Sequence, residues 1–251
     1  MSERGFSQAE VPLVVAHRGA SAEEPENTLA AFDRAVAAGA DVVEFDVRMT
    51  ADDVAVVLHD PDVDRTTEGH GLVRSKSLEE VRALGVPTLE EVLLHLSGRV
   101  AVDIEIKNIP GQPDFDGQRE AAVESTLLAL ELIAFVGQVM ISSFNPLSIA
   151  RSRALAPDVP TGLLTEPEVD ARAGLTFASA QGHVWLLPFA GRVVDAGPDL
   201  PGEIHDAGLL LGTWITDDPD DAVALMRGGV DAVATNDPAS IVAARRGAFG
   251  R

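Results

Sequence analysis

The chain has 251 residues, and its 40 acidic side chains outnumber 19 basic ones, which gives a formal net charge of −21. A field of that sign repels nucleic acids and anionic lipid surfaces, so we expect neither nucleic-acid binding nor stable membrane association. The absence of cysteine excludes disulfides, thiolate metal sites and cysteine nucleophiles. The first ten residues contain no apolar run typical of a secretory signal, and we therefore expect a cytoplasmic location.

Short apolar runs rich in valine, isoleucine and leucine recur along the chain, separated by stretches with helical periodicity. Continuous hydrophobicity is typical of parallel strands that are buried on both faces. The predicted strands are Val11–His17, Asp41–Arg48, Val100–Lys107, Gln138–Phe144, Pro160–Thr165, His183–Phe189, Leu209–Thr216 and Val230–Thr235. This alternation predicts an α/β fold, a TIM (β/α)8 barrel, as a single domain over residues 1–251. An open doubly wound sheet is the alternative, although no glycine-rich nucleotide-binding loop follows a strand.

Amphipathic stretches between the strands predict the helices. They are Glu26–Ala38, Leu89–Leu96, Arg119–Phe135, Pro146–Leu155, Ala222–Arg227 and Ala239–Arg245. The first of them is followed by Gly39, a typical stop signal. The segment Asp195–Ala207 is ambiguous, because two prolines interrupt its helical pattern.

One segment after the second predicted strand does not fit the repeat. Val54–His59 has strand character, but only a short turn separates it from the strand before it. A parallel crossover needs about a dozen residues. We therefore expect Val54–His59 to be the returning arm of a hairpin, followed by a short insertion above the barrel over about residues 60–87.

Three carboxylates are predicted at the carboxyl ends of neighbouring strands, where barrels of this kind place their active sites. Glu44 and Asp46 share one face of the second strand, and Glu105 lies on the third. Converging carboxylates repel one another unless they are protonated or neutralised, and a hard divalent cation bound by oxygen ligands removes that repulsion. The alternative is a solvated ion-pair cluster with Arg48 and Lys107.

Two of the six histidines lie at predicted strand ends beside these carboxylates. His17 ends the first strand, and His59 ends the returning arm of the hairpin. Because histidine titrates near neutral pH, such a pair can divide general-acid and general-base work. Each alone could equally be a structural histidine that is hydrogen-bonded at a strand end. The other four, His70, His95, His183 and His205, are expected to be surface or packing residues.

Two basic side chains beside a cation site indicate an anionic ligand. Arg18 and Lys107 suit the oxygens of a phosphate. Together with a divalent cation they leave the three carboxylates with one net positive charge, which favours a singly charged phosphodiester over a dianionic monoester. Trp214, on the seventh strand, either stacks on the substrate or is a packing residue.

The motifs that contain these residues follow one another in an order that resembles the glycerophosphodiester phosphodiesterase family. They are His17-Arg18-Gly19-Ala20, Pro25-Glu26-Asn27-Thr28, Glu44-Phe45-Asp46-Val47, His59-Asp60, Arg65-Thr66-Thr67, Pro87-Thr88-Leu89-Glu90-Glu91-Val92, Ile104-Glu105-Ile106-Lys107, Ser142-Ser143-Phe144 and Thr213-Trp214. The resemblance covers residues 13–240 or so, and it departs from the family in a short segment before Pro87, where the family usually has a longer insertion that helps to cover the substrate pocket.

The resemblance implies a TIM barrel that hydrolyses glycerophosphodiesters to glycerol 3-phosphate and an alcohol with one divalent cation, Ca²⁺ or Mg²⁺. It assigns the cation to Glu44, Asp46 and Glu105. It makes His17 and His59 the acid–base pair and Arg18 and Lys107 the phosphate-binding residues. Three alternatives on the same barrel remain: a lysophospholipase D, a phosphatidylinositol-type phosphodiesterase, and a phosphodiester-binding protein without catalytic activity.

Overall fold

Eight parallel strands close into a barrel in the computed structural model of the protein, which describes residues 11–117 and 119–250. The strands are β1 Leu13–Ala16, β2 Val42–Met49, β3 Ala55–Val57, β4 Ala101–Ile106, β5 Val139–Ser143, β6 Thr161–Thr165, β7 Trp185–Pro188, β8 Leu210–Thr213 and β9 Ala232–Thr235. All except β3 form the barrel, in the order β1-β2-β4-β5-β6-β7-β8-β9, and β9 pairs with β1 to close it. The predicted TIM barrel is confirmed.

The helices connect the strands on the outside of the barrel. They are α1 Leu29–Ala38, α2 Leu78–Ala83, α3 Leu89–Leu96, α4 Ala121–Ile133, α5 Pro146–Leu155, α6 Ala171–Gln181, α7 Ala190–Ala196, α8 Leu200–Asp206, α9 Pro219–Arg227 and α10 Pro238–Phe249. The ambiguous segment Asp195–Ala207 contains the end of α7 and all of α8, because Gly197 takes a positive φ of 86° and breaks the helix. Two helices, α2 and α6, had no counterpart in the sequence prediction.

The first helix begins at Leu29, three residues later than its periodicity predicts. The Thr28 hydroxyl accepts a hydrogen bond from the Ala31 amide and caps the helix. Asn27 takes a positive φ of 59°, and its side-chain amide donates to Asp46 Oδ2 at 2.8 Å. This tertiary contact holds Asn27 in the non-helical turn before the helix.

The hairpin is present as predicted. Strand β3 runs antiparallel to β2, with Val47 opposite Val57 and Met49 opposite Ala55. The following segment up to Pro87 packs around a small cluster of its own, which includes Val63, Val73 and Val81. Helix α2 within it has a capping box between Ser77 and Glu80.

Among residues 11–117 and 119–250, no helix is both long and apolar enough to cross a bilayer. The expectation about a secretory signal concerns the first ten residues, which lie outside the described part of the chain.

The turn after β1 depends on a glycine. Gly19 has a φ of 82°, and a Cβ built on it would lie 2.7 Å from the carbonyl carbon of Ala31 at the start of α1. The preceding residue, Arg18, also has a positive φ of 57°. The close approach of this turn to α1 therefore fixes the backbone that carries Arg18.

We expect Gly19→Ala to lower the free energy of unfolding more than Gly71→Ala does. Gly71 also has a positive φ, 93°, but a Cβ at that position would have no atom within 4 Å. The conformational cost of about 1 kcal/mol applies to both substitutions, and the overlap with α1 adds about 1–3 kcal/mol at Gly19 alone. Urea unfolding of both variants measures the difference, and equal losses would show that the close approach to α1 costs nothing.

Candidate active site

Three carboxylates form the centre of the site, on the two neighbouring strands β2 and β4. In the parallel register Asp46 pairs with Glu105, and Glu44 lies one inward-facing position earlier on β2. Asp46 is fully buried and the two glutamates are 5% exposed. One oxygen from each of the three lies within 4.8 Å of the others. The strand register thus concentrates three potential negative charges on buried side chains.

Two basic side chains border this cluster. Arg18 donates its backbone N–H to Glu44 Oε2 at 2.7 Å and places Nε 3.3 Å from Asp46 Oδ2. Lys107 places Nζ 3.2 Å from Asp46 Oδ1 and 2.6 Å from Glu105 Oε1. The predicted alternative was a solvated ion-pair cluster. Lys107 does form ion pairs with two of the carboxylates, but it is buried and not solvated. Two positive charges do not balance three carboxylates, so the cluster stays deficient in positive charge.

The cluster fits a divalent cation on three grounds. All its donor atoms are carboxylate oxygens, the ligands preferred by hard cations. Glu44 Oε1 is buried and accepts no hydrogen bond from the described residues. Burial, with Asp46 and Glu105 nearby, raises the pKa of Glu44 well above its usual value, and burial raises the pKa of Glu105 to about 7. The three carboxylates can thus hold a metal ion, which would take the place of protons.

Asp46 behaves differently from the two glutamates. Burial alone would raise its pKa, but Lys107, His59 and Arg18 outweigh burial and hold that pKa below its usual range. The hydrogen bond from Asn27 acts in the same direction. Asp46 is therefore the member of the cluster that stays ionised without a cation.

His17 lies at the end of β1 with one ring nitrogen fixed. Its Nδ1 is 2.8 Å from Asn236 Oδ1, which also accepts from Ser21 Oγ. Asn236 Nδ2 donates to Asp217 Oδ2, so the amide orientation is set and Nδ1 of His17 must be the donor. Burial and the Arg18 charge lower the pKa of His17 to about 4. His17 is thus a neutral imidazole with Nε2 as its available acceptor.

His59 follows the hairpin arm and has a carboxylate behind it. Its Nδ1 lies 2.6 Å from Asp60 Oδ1, and because a carboxylate only accepts, Nδ1 is the donor. Burial lowers the pKa of His59, while the charge of Asp46 and the hydrogen bond to Asp60 oppose that shift. Asp60 can stabilise an imidazolium here, which Asn236 cannot do for His17.

A cavity of about 290 Å³ lies over these groups at the carboxyl ends of the strands. Seven of the eight predicted site residues line it: His17, Arg18, Glu44, His59, Glu105, Lys107 and Trp214. Asp46, the eighth, is fully buried. Apolar side chains, among them Phe144, Leu164 and Ile215, line it as well. Phe144 lies beside the charged groups, with its ring centroid 5.7 Å from Lys107 Nζ. The cavity therefore combines charged and apolar lining.

Trp214 is packed, as one of its two predicted roles requires, and its stacking on the substrate stays a prediction. Its indole N–H donates to the carbonyl of Leu187 at 3.0 Å. Its ring meets Phe144 and Phe189 edge-on, with centroids 5.3 and 5.5 Å away. Trp214 is thus a packed residue that also forms part of the cavity wall.

Arg48 does not join the carboxylate cluster. Its guanidinium is buried and donates to the carbonyls of His59 and Lys107 at 2.7 and 3.2 Å. It also binds Asp114 Oδ2 at 2.6 Å and Gln112 Oε1 at 2.8 Å. Arg48 therefore fastens the loop after β4, whose Gln112 lines the cavity, to the backbone of two site residues.

The other four histidines are away from the cavity, as expected. His183 is buried and its Nδ1 lies 2.8 Å from Thr161 Oγ1, whereas His70 is exposed. His95 and His205 form surface or half-buried pairs with acidic side chains.

Sequence reasoning left several supporting residues without a role. Asn27, Glu26, Asp60, Arg65 and Asn236 contact the predicted site residues or one another through their side chains. The first four belong to the motifs that carry the family resemblance, and those motifs could have identified them from the sequence. Asn236 follows β9, more than 200 residues from His17, and only barrel closure brings the two together.

We expect a divalent cation to raise the Tm, and the increase to grow with pH. Without a cation, the raised pKa of Glu44 and that of Glu105, about 7, make the folded state bind more protons than the unfolded state. Its stability then falls as pH rises from the usual glutamate pKa of 4.5 through about 7, and a cation removes that loss by replacing the protons.

Thermal unfolding with Mg²⁺, Ca²⁺ or a chelator at about pH 5.5 and about pH 8 measures this effect. Glu44→Gln should abolish the increase in Tm. Asp103→Asn is the matched control, because Asp103 is a neighbouring buried carboxyl, its pKa raised by burial to about 8, outside the cluster. A pH-independent increase in Tm would contradict cation binding at these carboxylates.

The chain is similar over most of its length to known proteins of one family. The model of the "Glycerophosphoryl diester phosphodiesterase family" matches residues 17–240. A glycerophosphodiester phosphodiesterase of Caldanaerobacter subterraneus subsp. tengcongensis is 35% identical over 92% of this chain and 96% of its own. One from Bacillus subtilis is 32% identical over 90% of this chain and 84% of its own.

Solved structures show the same fold. An Oleispira antarctica phosphodiesterase, in complex with the product sn-glycerol-3-phosphate, has a TM-score of 0.81 and 26% identity over 93% of this chain and 96% of its own. A glycerophosphodiester phosphodiesterase from Agrobacterium tumefaciens has a TM-score of 0.77 and 26% identity over 92% of this chain and 99% of its own. With the family match over most of its length, the chain belongs to the glycerophosphoryl diester phosphodiesterase family, a family of phosphoric diester hydrolases.

Proposed function

We propose that this protein hydrolyses glycerophosphodiesters to glycerol 3-phosphate and an alcohol, with His17 and His59 as its acid–base pair. The observation that carries the proposal is one cavity lined by two imidazoles, two basic side chains, carboxylates of the cluster and several apolar side chains. The relatives named glycerophosphodiester phosphodiesterases, and the solved relative bound to sn-glycerol-3-phosphate, support the same substrate.

The charged side of the cavity suits a phosphodiester. Arg18 and Lys107 lie on either side of Asp46 and can donate to phosphoryl oxygens while they balance the buried carboxylates. In the transition state the phosphoryl oxygens gain negative charge, and these preorganised donors stabilise it in a site with little water. The apolar side chains of Phe144 and Trp214 in the cavity lining suit the carbon skeleton of glycerol.

Glu44, Asp46 and Glu105 are the residues that would hold the divalent cation, Ca²⁺ or Mg²⁺. When bound, such an ion supplies Lewis-acid polarisation of a phosphoryl oxygen and lowers the pKa of a hydroxyl. The remaining chemistry belongs to side chains of the chain itself.

The two histidines differ in a way that divides their roles. His17 is held neutral with Nε2 available, so it takes the proton of the attacking hydroxyl, which belongs to water or to the neighbouring glycerol carbon. Attack by the glycerol hydroxyl forms a cyclic phosphate, which water then opens to glycerol 3-phosphate. His59 has Asp60 behind Nδ1, which stabilises its protonated form, so His59 gives a proton to the leaving alcohol. Each ring is held by an outer partner that fixes its tautomer.

Wild-type protein should release glycerol 3-phosphate from glycerophosphocholine with Mg²⁺, Ca²⁺ or Mn²⁺, and a chelator should abolish that release. A panel of glycerophosphodiesters that includes a lysophospholipid and a phosphatidylinositol separates the proposed activity from the two related ones. Binding without turnover under every cation would instead support a non-catalytic barrel and overturn the proposal.

The division of roles predicts different responses to the leaving group. His17→Ala and His59→Ala should each lower kcat by about 10²- to 10⁴-fold with glycerophosphocholine. With a 4-nitrophenyl ester of glycerol phosphate, whose leaving group needs no proton, the loss in His59→Ala should become much smaller. The loss in His17→Ala should persist. Steady-state kinetics with both substrates checks this, and the reverse pattern would exchange the two assignments.

We also propose that the chain acts as a single domain in the cytoplasm on a small-molecule substrate, without nucleic-acid partners. The net charge of −21 supports the last point, since it opposes association with polyanions.

A further inference from the structure

We propose that Arg65, which does not line the cavity, is a positioning residue that holds Arg18 and His59 in their working geometry. The inference rests on the proposed function, because it assigns Arg65 a part in the same hydrolysis. Two carboxylates, Glu26 and Asp60, transmit its effect to the site.

The first carboxylate connects Arg65 to the phosphate-binding side. Arg65 donates Nη1 to Glu26 Oε2 at 2.8 Å and Nη2 to Glu26 Oε1 at 2.7 Å, a bidentate pair. Glu26 Oε1 also accepts from Arg18 Nη1 at 3.0 Å. Burial would raise the pKa of Glu26, but Arg65 and Arg18 outweigh it and keep the carboxylate ionised. Glu26 thus lies between two arginines and is shared by them.

The second carboxylate connects Arg65 to the acid–base side. Arg65 Nε donates to Asp60 Oδ2 at 2.6 Å, while Asp60 Oδ1 faces His59 Nδ1 at 2.6 Å. Burial opposes ionisation of Asp60, but Arg65 and His59 lower its pKa to about 2. With one oxygen fixed by Arg65, Asp60 cannot rotate away from the ring of His59.

One guanidinium therefore joins two segments that lie 39 residues apart in sequence, the turn after β1 and the chain beyond the hairpin. Its planar array of donors is what allows it to engage both carboxylates at once. The Arg65 side chain is 48% exposed, and exposed ion pairs contribute little to the free energy of unfolding. Its loss should therefore affect turnover far more than stability.

The two contacts of Arg65, with Glu26 and with Asp60, each predict a separate kinetic effect. Without Arg65, Glu26 keeps only Arg18 as its cationic partner in this network and draws it away from the phosphate, so KM should rise. Asp60 loses its fixed rotamer, so the ring of His59 becomes misaligned and kcat should fall. We expect Arg65→Met to lower kcat/KM by about 10- to 100-fold, the range for displaced catalytic groups. Its Tm should stay close to that of the wild type.

Double-mutant cycles test these two contacts. Arg65→Met should have little further effect on kcat in the Asp60→Asn background and little further effect on KM in the Glu26→Gln background. Arg65→Lys should recover only part of the loss, because an ammonium group cannot reproduce the bidentate contact. The matched control is Arg172→Met, since Arg172 is 42% exposed and forms a similar pair with Glu203 on α8. That control should leave kcat and KM unchanged.

Two kinetic outcomes would each overturn the inference: kinetic constants of Arg65→Met within about twofold of wild type, or losses that simply add in both cycles. The connection from Arg65 through Glu26 to Arg18 can be tested without turnover, by calorimetry with sn-glycerol 3-phosphate. The affinity for this product should be lower in Arg65→Met than in the wild type. An inactive wild type would contradict the proposed function. Equal affinity of both proteins would contradict the role of Arg65.

Discussion

The burial of three carboxylates on two adjacent strands is the constraint on which the rest of the site depends. Glu44, Asp46 and Glu105 are brought together by a parallel register that the barrel imposes, in a place that water hardly reaches. Like charges in such surroundings are unfavourable unless protons, basic side chains or a cation offset them. Lys107 and Arg18 offset part of that cost, and a divalent cation would offset the remainder.

The groups around the cluster are held by a second layer of polar contacts. Asn236 fixes the tautomer of His17, Asp60 fixes that of His59, and Arg48 fastens the loop that borders the cavity. One of these partners, Asn236, is 219 residues away in sequence from the histidine that it holds. Acid–base catalysis requires alignment within a few tenths of an ångström, which isolated side chains on loops would not maintain.

The net charge of the chain describes its surface and not its cavity. Most of the 40 acidic residues lie outside the site and act against association with polyanions. Within the cavity Arg18 and Lys107 stand beside the carboxylate cluster, so a bound cation reverses the local sign. An acidic protein can thereby accept an anionic diester.

The sequence by itself determined the barrel, the hairpin and the candidate residues, because hydrophobic period and strand-end polarity are local properties of the chain. It could not determine that α1 begins at Leu29, since the contact from Asn27 to Asp46 outweighs helical periodicity. Nor could it reveal that Arg65 bridges Glu26 and Asp60. These features were decided by the tertiary structure, because hydrogen bonds between distant segments form only when the barrel closes and brings the ends of its strands together.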